Sequence, residues 1–234
     1  MTQELYRRLR PRSFAEVVGH TEQIAVLETY LTKEQLPHSV MIHGQSGCGK
    51  TTLLRILSAR LGCPPEAIDY QEINCADDRG IDLIRTIADQ SRIPPIVCPA
   101  KIWVLDECQA LTRRKGGDAQ SALLKVLEEA PSYAYYFLAT TEPNELRKTI
   151  HTRCLKLALK PLTINQLRVL LYATITTENF PVGEEVIDRI AEYSEGSARE
   201  ALVLLDSVCR LPSEEDQLAA LCMPASRSLA IDLA

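Results

Sequence analysis

Apolar positions along this chain follow two rhythms that alternate. Short apolar runs at Ser39–His43, Lys101–Asp106 and Tyr135–Thr140 predict buried strands, Tyr70–Asn74 is a plausible strand, and Cys154–Leu157 adds a candidate fifth. Between them the spacing widens to three and four. Thr21 is placed to cap a helix carrying Ile24, Leu27 and Leu31. Thr52–Leu61 is amphipathic, Ile81–Ser91 shows Ile81, Ile84 and Ile87, and Asp118–Glu129 shows Leu123, Leu124 and Leu127. Strands alternating with helices predict an α/β fold with a parallel sheet. Before the first helix, Tyr6–Val18 is basic and punctuated around Arg10-Pro11-Arg12, which predicts an ordered arm rather than a helix.

After Pro161 the strand rhythm stops. Thr163-Ile164-Asn165-Gln166 is a capping box for a helix to about Thr177, and Pro181 and Gly183 end it. Val186, Ile187 and Ile190 mark a second helix. Ser197-Ala198-Arg199-Glu200, after Gly196, is a second capping box for a helix through Val208. The expected division is an α/β unit over 1–160, a three-helix unit over 161–210 and a short tail over 211–234 with room for one helix at most.

The first strand runs into Gly44-Gln45-Ser46-Gly47-Cys48-Gly49-Lys50-Thr51, with Thr52 opening the helix beyond. Strand, glycine-rich loop and helix at this spacing form a P-loop. Its backbone N–H groups and the helix N-terminus face phosphate oxygens, Lys50 can reach the β- and γ-phosphates, and the Thr51 hydroxyl can ligate Mg²⁺. The strand Lys101–Asp106 delivers Asp106 as a second Mg²⁺ contact and the adjacent Glu107 as a general base for an attacking water. A small-molecule kinase, which must exclude water, is not expected to carry that glutamate. ATP with Mg²⁺ is the expected ligand.

Composition narrows the class without adding chemistry. With 46% hydrophobic and 24% charged residues among 234, the chain is an ordinary globular protein. Its net charge of −5 makes any nucleic-acid surface a local one. Met1–Ser13 lacks the central apolar stretch of a secretory leader and no run reaches membrane-spanning length, so a cytoplasmic protein with no membrane partner is expected. Eight cysteines show no C-x-x-C pair. A zinc site from Cys63, Cys75, Cys98 and Cys108 is one possibility, and reduced structural thiols are the better reading.

The motif order resembles the AAA+ clamp-loader ATPases, namely the gamma/tau subunit of bacterial DNA polymerase III and the small subunits of replication factor C. Arg10-Pro11-Arg12-Ser13-Phe14-Ala15-Glu16-Val17-Val18-Gly19-His20 is similar to their R-P-x-x-F-x-x-V-V-G-Q arm. Ala122–Glu129 is similar to their A-L-L-K-x-L-E-E helix, and Ala139–Pro143 to the end of their sensor 1 strand. Thr152-Arg153-Cys154 is similar to S-R-C, and Gly196–Leu202 to sensor 2.

The resemblance implies further roles. Tyr6, Pro11, Val17 and Val18 would wall the adenine. Thr141, at the tip of a strand lying between the P-loop and acidic strands, would hydrogen-bond the γ-phosphate or attacking water. Arg199 would bridge the helical lid to the γ-phosphate, and Arg153 would act as an arginine finger on a neighbouring subunit's ATP. Arg113, Arg114 and Lys115 would track DNA phosphates, with a solvated charge run as the alternative. Partners would be other clamp-loader subunits, a DNA sliding clamp and primer–template DNA.

Two departures stand out: the gamma/tau zinc module's C-x-x-C spacing is missing, and the residues after Leu211 are too few for a helical collar. The first makes the chain similar to the zinc-free replication factor C type, and the second favours the alternative of another DNA-remodelling AAA+ protein, such as a helicase loader or branch-migration motor. A scaffold that holds ATP without hydrolysing it is a further alternative, against which Glu107, Thr141 and Arg199 argue.

Overall fold

The computed structural model describes residues 4–77, 80–112 and 119–222. The arm contains a helical turn, α1 (Leu5–Arg8), and a 3-10 turn at Phe14–Glu16, and is followed by α2 (Thr21–Thr32). The chain then alternates through β1 (Ser39–His43), α3 (Lys50–Arg60), β2 (Tyr70–Asn74), α4 (Ile81–Ser91), β3 (Lys101–Asp106), α5 (Ala119–Glu128), β4 (Ala134–Thr140), α6 (Lys148–His151) and β5 (Leu155–Ala158). Helices α7 (Ile164–Glu178), α8 (Glu184–Tyr193), α9 (Ala198–Val208) and α10 (Glu214–Cys222) complete it.

All five strands are parallel, in the order β2-β3-β4-β1-β5. Strand β4 therefore stands between the P-loop strand β1 and the acidic strand β3. Because side chains alternate along a strand, each sheet face has its own core. Val40, Ile42, Ile102, Val104, Phe137 and Ala139 meet Leu53, Leu54, Ile56 and Leu57 of α3. On the other face Met41, Trp103, Leu105, Tyr136 and Leu138 meet Ile84 and Ile87 of α4 and Leu123, Val126 and Leu127 of α5. Fully burying one such side chain contributes about 1.5–3 kcal/mol.

A third core lies among α7, α8, α9 and α10, with Leu167, Leu171, Ile187, Ile190, Leu202, Leu205 and Leu221 buried. The Thr163–Gln166 capping box forms in both directions. At α9 the Ser197 hydroxyl accepts from the Glu200 N–H, and the Ser197 N–H donates to the Ser194 carbonyl at 2.8 Å.

Several expectations are corrected. The arm is helical at α1 because Leu5 buries itself in the helical core and Arg8 forms a two-pronged ion pair with Glu178. Thr21 is the first helical residue rather than the cap. His20 occupies the cap position with φ 54° and no side-chain cap bond, its ring being engaged elsewhere. Helix α3 begins at Lys50, two residues early, so Lys50 and Thr51 project from its first turn. The 211–234 stretch, expected to have room for one helix, contains α10, where Gln217 donates to the carbonyls of Pro181 and Leu211. No helix among the described residues is long and apolar enough to cross a membrane.

Candidate functional site

The P-loop leaves the carboxyl end of β1 and enters α3 through left-handed backbone that only glycine adopts at low cost. Gly47 (φ +72°) lies against the start of α9, where a methyl would come within 2.1 Å of the Ser197 Oγ. Gly49 (φ +102°) differs: a methyl there would meet nothing within 4 Å, so this side of the loop is an open cradle. Lys50 is buried to 6% exposure, and its Nζ donates to the carbonyls of Gly44 and Gln45 at 3.0 Å each. The ammonium thus folds back across the loop. Cys48 is a core residue, its thiol pKa pushed up by burial.

Opposite the loop, the Thr51 Oγ1 donates to Asp106 Oδ2 at 2.8 Å. Asp106 Oδ1 accepts from the Glu107 N–H at 2.9 Å. Glu107 itself has φ 51°, uncommon for a residue with a side chain and characteristic of functional turns. Gln109 gathers the surrounding groups. Its Nε2 donates to Glu107 Oε2 and, at 2.9 Å, to Thr141 Oγ1, while its Oε1 accepts from Thr140 Oγ1 at 2.7 Å. Thr141 Oγ1 also donates to Glu107 Oε2 at 3.4 Å. The Thr140 bond fixes the amide orientation, so both Nε2 bonds point at the pair expected to handle water.

One cavity joins these parts. Tyr6, Pro11, Val17 and Val18 line it from the arm, Ser46 to Thr52 from the P-loop and the start of α3, Asp106 from β3 and Glu107 from the turn after it, and Arg199 from α9. Gly44 and Gln45 take part through their carbonyls. The Arg199 guanidinium stands 5.6 Å from the centre of the Tyr6 ring, and the Arg199 backbone N–H donates to the Gly47 carbonyl at 3.3 Å.

Sequence reasoning missed Gln109, Arg10 and His20. Gln109 was signalled by a polar residue inside the apolar run Cys108–Leu111. His20 Nε2 donates to the Cys48 carbonyl at 2.9 Å, tying the arm to the P-loop. Burial lowers its pKa, against a smaller upward pull from that carbonyl.

Other expected groups lie elsewhere. Arg153 is outside the cavity, half exposed and ion-paired to Glu128 of α5. Thr141 reaches the cavity through Gln109 and Glu107 rather than by lining it. Arg113, Arg114 and Lys115 lie outside the described residues. The four-cysteine site does not form: Cys63 belongs to the core on one sheet face, Cys75 and Cys108 to the core on the other. No group of three or more His, Cys, Asp or Glu placed to hold a metal occurs among the described residues. A hydroxyl and a carboxylate 2.8 Å apart, facing an open cradle, suit Mg²⁺, a hard cation that keeps waters and phosphate oxygens as its other ligands.

Residues 69–163 match the family described as DNA polymerase III, delta subunit. The chain is 33% identical over 223 residues to the DNA polymerase III subunit tau/gamma of Haemophilus influenzae, covering 87% of this chain and 32% of that protein. It is 31% identical over 226 residues to the gamma/tau subunit of Mycoplasma pneumoniae, covering 89% and 33% respectively. The Escherichia coli tau subunit is 31% identical over 223 residues, with 87% of this chain and 34% of that one covered. The chain thus spans about a third of the length of these curated relatives. Among solved structures, the Thermotoga maritima RuvB Holliday junction branch migration motor superposes with a TM-score of 0.68 at 18% identity, covering 96% of this chain and 72% of that one. That likeness shows the AAA+ fold.

Proposed function

We propose that this chain, which resembles the clamp-loader AAA+ ATPases in sequence along most of its length and has the AAA+ fold, is an ATP-hydrolysing subunit of a clamp-loading assembly in DNA replication. The observation that carries the reading is the single cavity on which arm, P-loop, acidic strand and lid converge. The P-loop N–H groups and Lys50 bind the phosphates, and Thr51 with Asp106 holds Mg²⁺, which neutralises developing phosphate charge when bound. Tyr6, Pro11, Val17 and Val18 wall the base. Glu107 takes the proton of the attacking water, Thr141 orients that water, and Arg199 ties lid position to the γ-phosphate.

Arg153 completes a neighbouring subunit's site as an arginine finger, which accounts for its place on the surface. Its partners in this reading are other loader subunits, a sliding clamp and primer–template DNA, with Arg113, Arg114 and Lys115 on the phosphate backbone.

The test is the ATPase rate with and without primed DNA and candidate clamps. Stimulation by both together is expected, and Lys50→Ala should abolish nucleotide binding. Stimulation by a four-way junction or a replicative helicase, with no response to primed DNA and clamp, would replace clamp loading with another DNA-remodelling role. Unchanged nucleotide binding by Lys50→Ala would remove the P-loop assignment.

A further inference from the structure

Arg10 sits at the bend of the arm before Pro11. It lines the nucleotide cavity on one side and, on the other, a second cavity walled by Arg7, Arg12 and Arg55. Its Nη1 is buried without a hydrogen-bond partner among the described residues. The nearby carboxylate of Glu72 is engaged by other donors: Arg55 donates to both Glu72 oxygens at 2.6 Å, and the Tyr70 hydroxyl adds a third bond at 2.5 Å. Burial, and then the positive charge of Arg55, push the Arg10 pKa down; Glu72 pulls it back less strongly, Arg199 adds a smaller downward push, and Tyr6 a still smaller upward one. A buried guanidinium donor with no partner is costly, and a second cation beside it adds to the cost. An anion entering the cavity relieves both.

We propose that Arg10 is a nucleotide-binding residue whose guanidinium donates to a phosphate oxygen of the ligand held by the P-loop. The inference rests on the nucleotide-binding reading above. It assigns the arm an electrostatic task besides walling the base. The free protein keeps an unsatisfied cation in place, and phosphate satisfies it. Binding and stability of the free chain therefore pull in opposite directions at this residue.

The experiment measures melting temperature and equilibrium binding of Mg-ATP, Mg-ADP and adenosine for the wild type, Arg10→Gln and Arg10→Lys. Without ligand, Arg10→Gln should melt at or above the wild type. Its Mg-ATP and Mg-ADP dissociation constants should rise about ten- to a hundredfold, the size of a charge-assisted hydrogen bond. Adenosine affinity should not change, and Arg10→Lys, keeping the charge without the fork, should fall between. Wild-type Mg-ATP affinity in Arg10→Gln would overturn the proposal. So would an equal loss for adenosine, which marks a base contact, or a melting temperature well below wild type, which marks a structural role. A wild type that fails to bind Mg-ATP would refute the nucleotide reading itself.

Discussion

The Thr51 hydroxyl and the Asp106 carboxylate meet at 2.8 Å although the strand leading into α3, β1, and the strand bearing Asp106, β3, are not neighbours. Strand β4 separates β1 from β3, and the pair closes the gap above it only because α3 begins early enough to carry Thr51 in its first turn. The hydroxyl donates here to a carboxylate oxygen, and the two groups would together hold Mg²⁺ in place of this bond.

Thr51→Val and Asp106→Asn should therefore remove the part of ATP affinity that depends on Mg²⁺ and leave metal-free binding nearly unchanged. Titration in Mg²⁺ and in EDTA gives the comparison. Loss of the hydrogen bond itself should cost only about 1 kcal/mol of stability. A Mg²⁺ effect that survives in both variants would place the metal elsewhere.

Glu107→Gln should bind ATP at wild-type strength and lose turnover, because its carboxylate acts on water alone. Gln109→Ala tests the amide that holds Glu107 and Thr141 together. Its kcat should fall about tenfold or more with KM little changed, since orientation rather than binding is lost. A rise in KM alone would make Gln109 a binding residue instead.

Arg153→Ala should bind ATP normally and turn over slowly in assemblies, because a trans arginine finger is worth roughly 10³–10⁵ in rate. Mixing it with Glu107→Gln protein should restore some hydrolysis at interfaces that pair the intact Arg153 with the intact Glu107. The ion pair with Glu128 must open for this, so Glu128→Gln should raise activity in the assembled state. High activity in dilute monomer, unaffected by Arg153→Ala, would rule out the finger.

Asp69 is 2% exposed and accepts three N–H bonds, from Ile96, Val97 and Cys98, at 2.7–2.8 Å. Burial alone would raise its pKa, but these donors outweigh it and hold the pKa below the usual carboxylate range. A lowered native pKa means stability that is present above the unfolded value, near 3.9, and is lost as pH falls through the native one. Asp69→Asn should cost about 1–3 kcal/mol at neutral pH and show a shallower loss of stability in acid, measured by urea unfolding. An acid profile parallel to the wild type would show that Asp69 is not the responsible group.

Much of this was legible because both periodicities are clean. The ranges of β1 and α4 follow from the apolar spacing alone, and Lys50, Thr51, Asp106 and Glu107 from motif chemistry. The illegible parts depend on contacts made at a distance. The α1 turn exists because Leu5 finds a core contributed by residues far along the chain. His20, not Thr21, stands at the α2 cap because its ring reaches the Cys48 carbonyl. Gln109 looks like one polar residue in an apolar run until β4 brings Thr140 and Thr141 beside it. Periodicity records which face is buried and is silent about which remote partner covers it.

The close fit of Gly47 against Ser197 gives the lid no slack. The same peptide segment that must bend around phosphate also bears the first turn of α9, with the Arg199 N–H seated on the Gly47 carbonyl. Any shift of the loop on filling would be handed directly to the helix, as between meshed teeth. In the proposed reading, occupancy at the base of the cleft would reach the lid without a flexible intermediary.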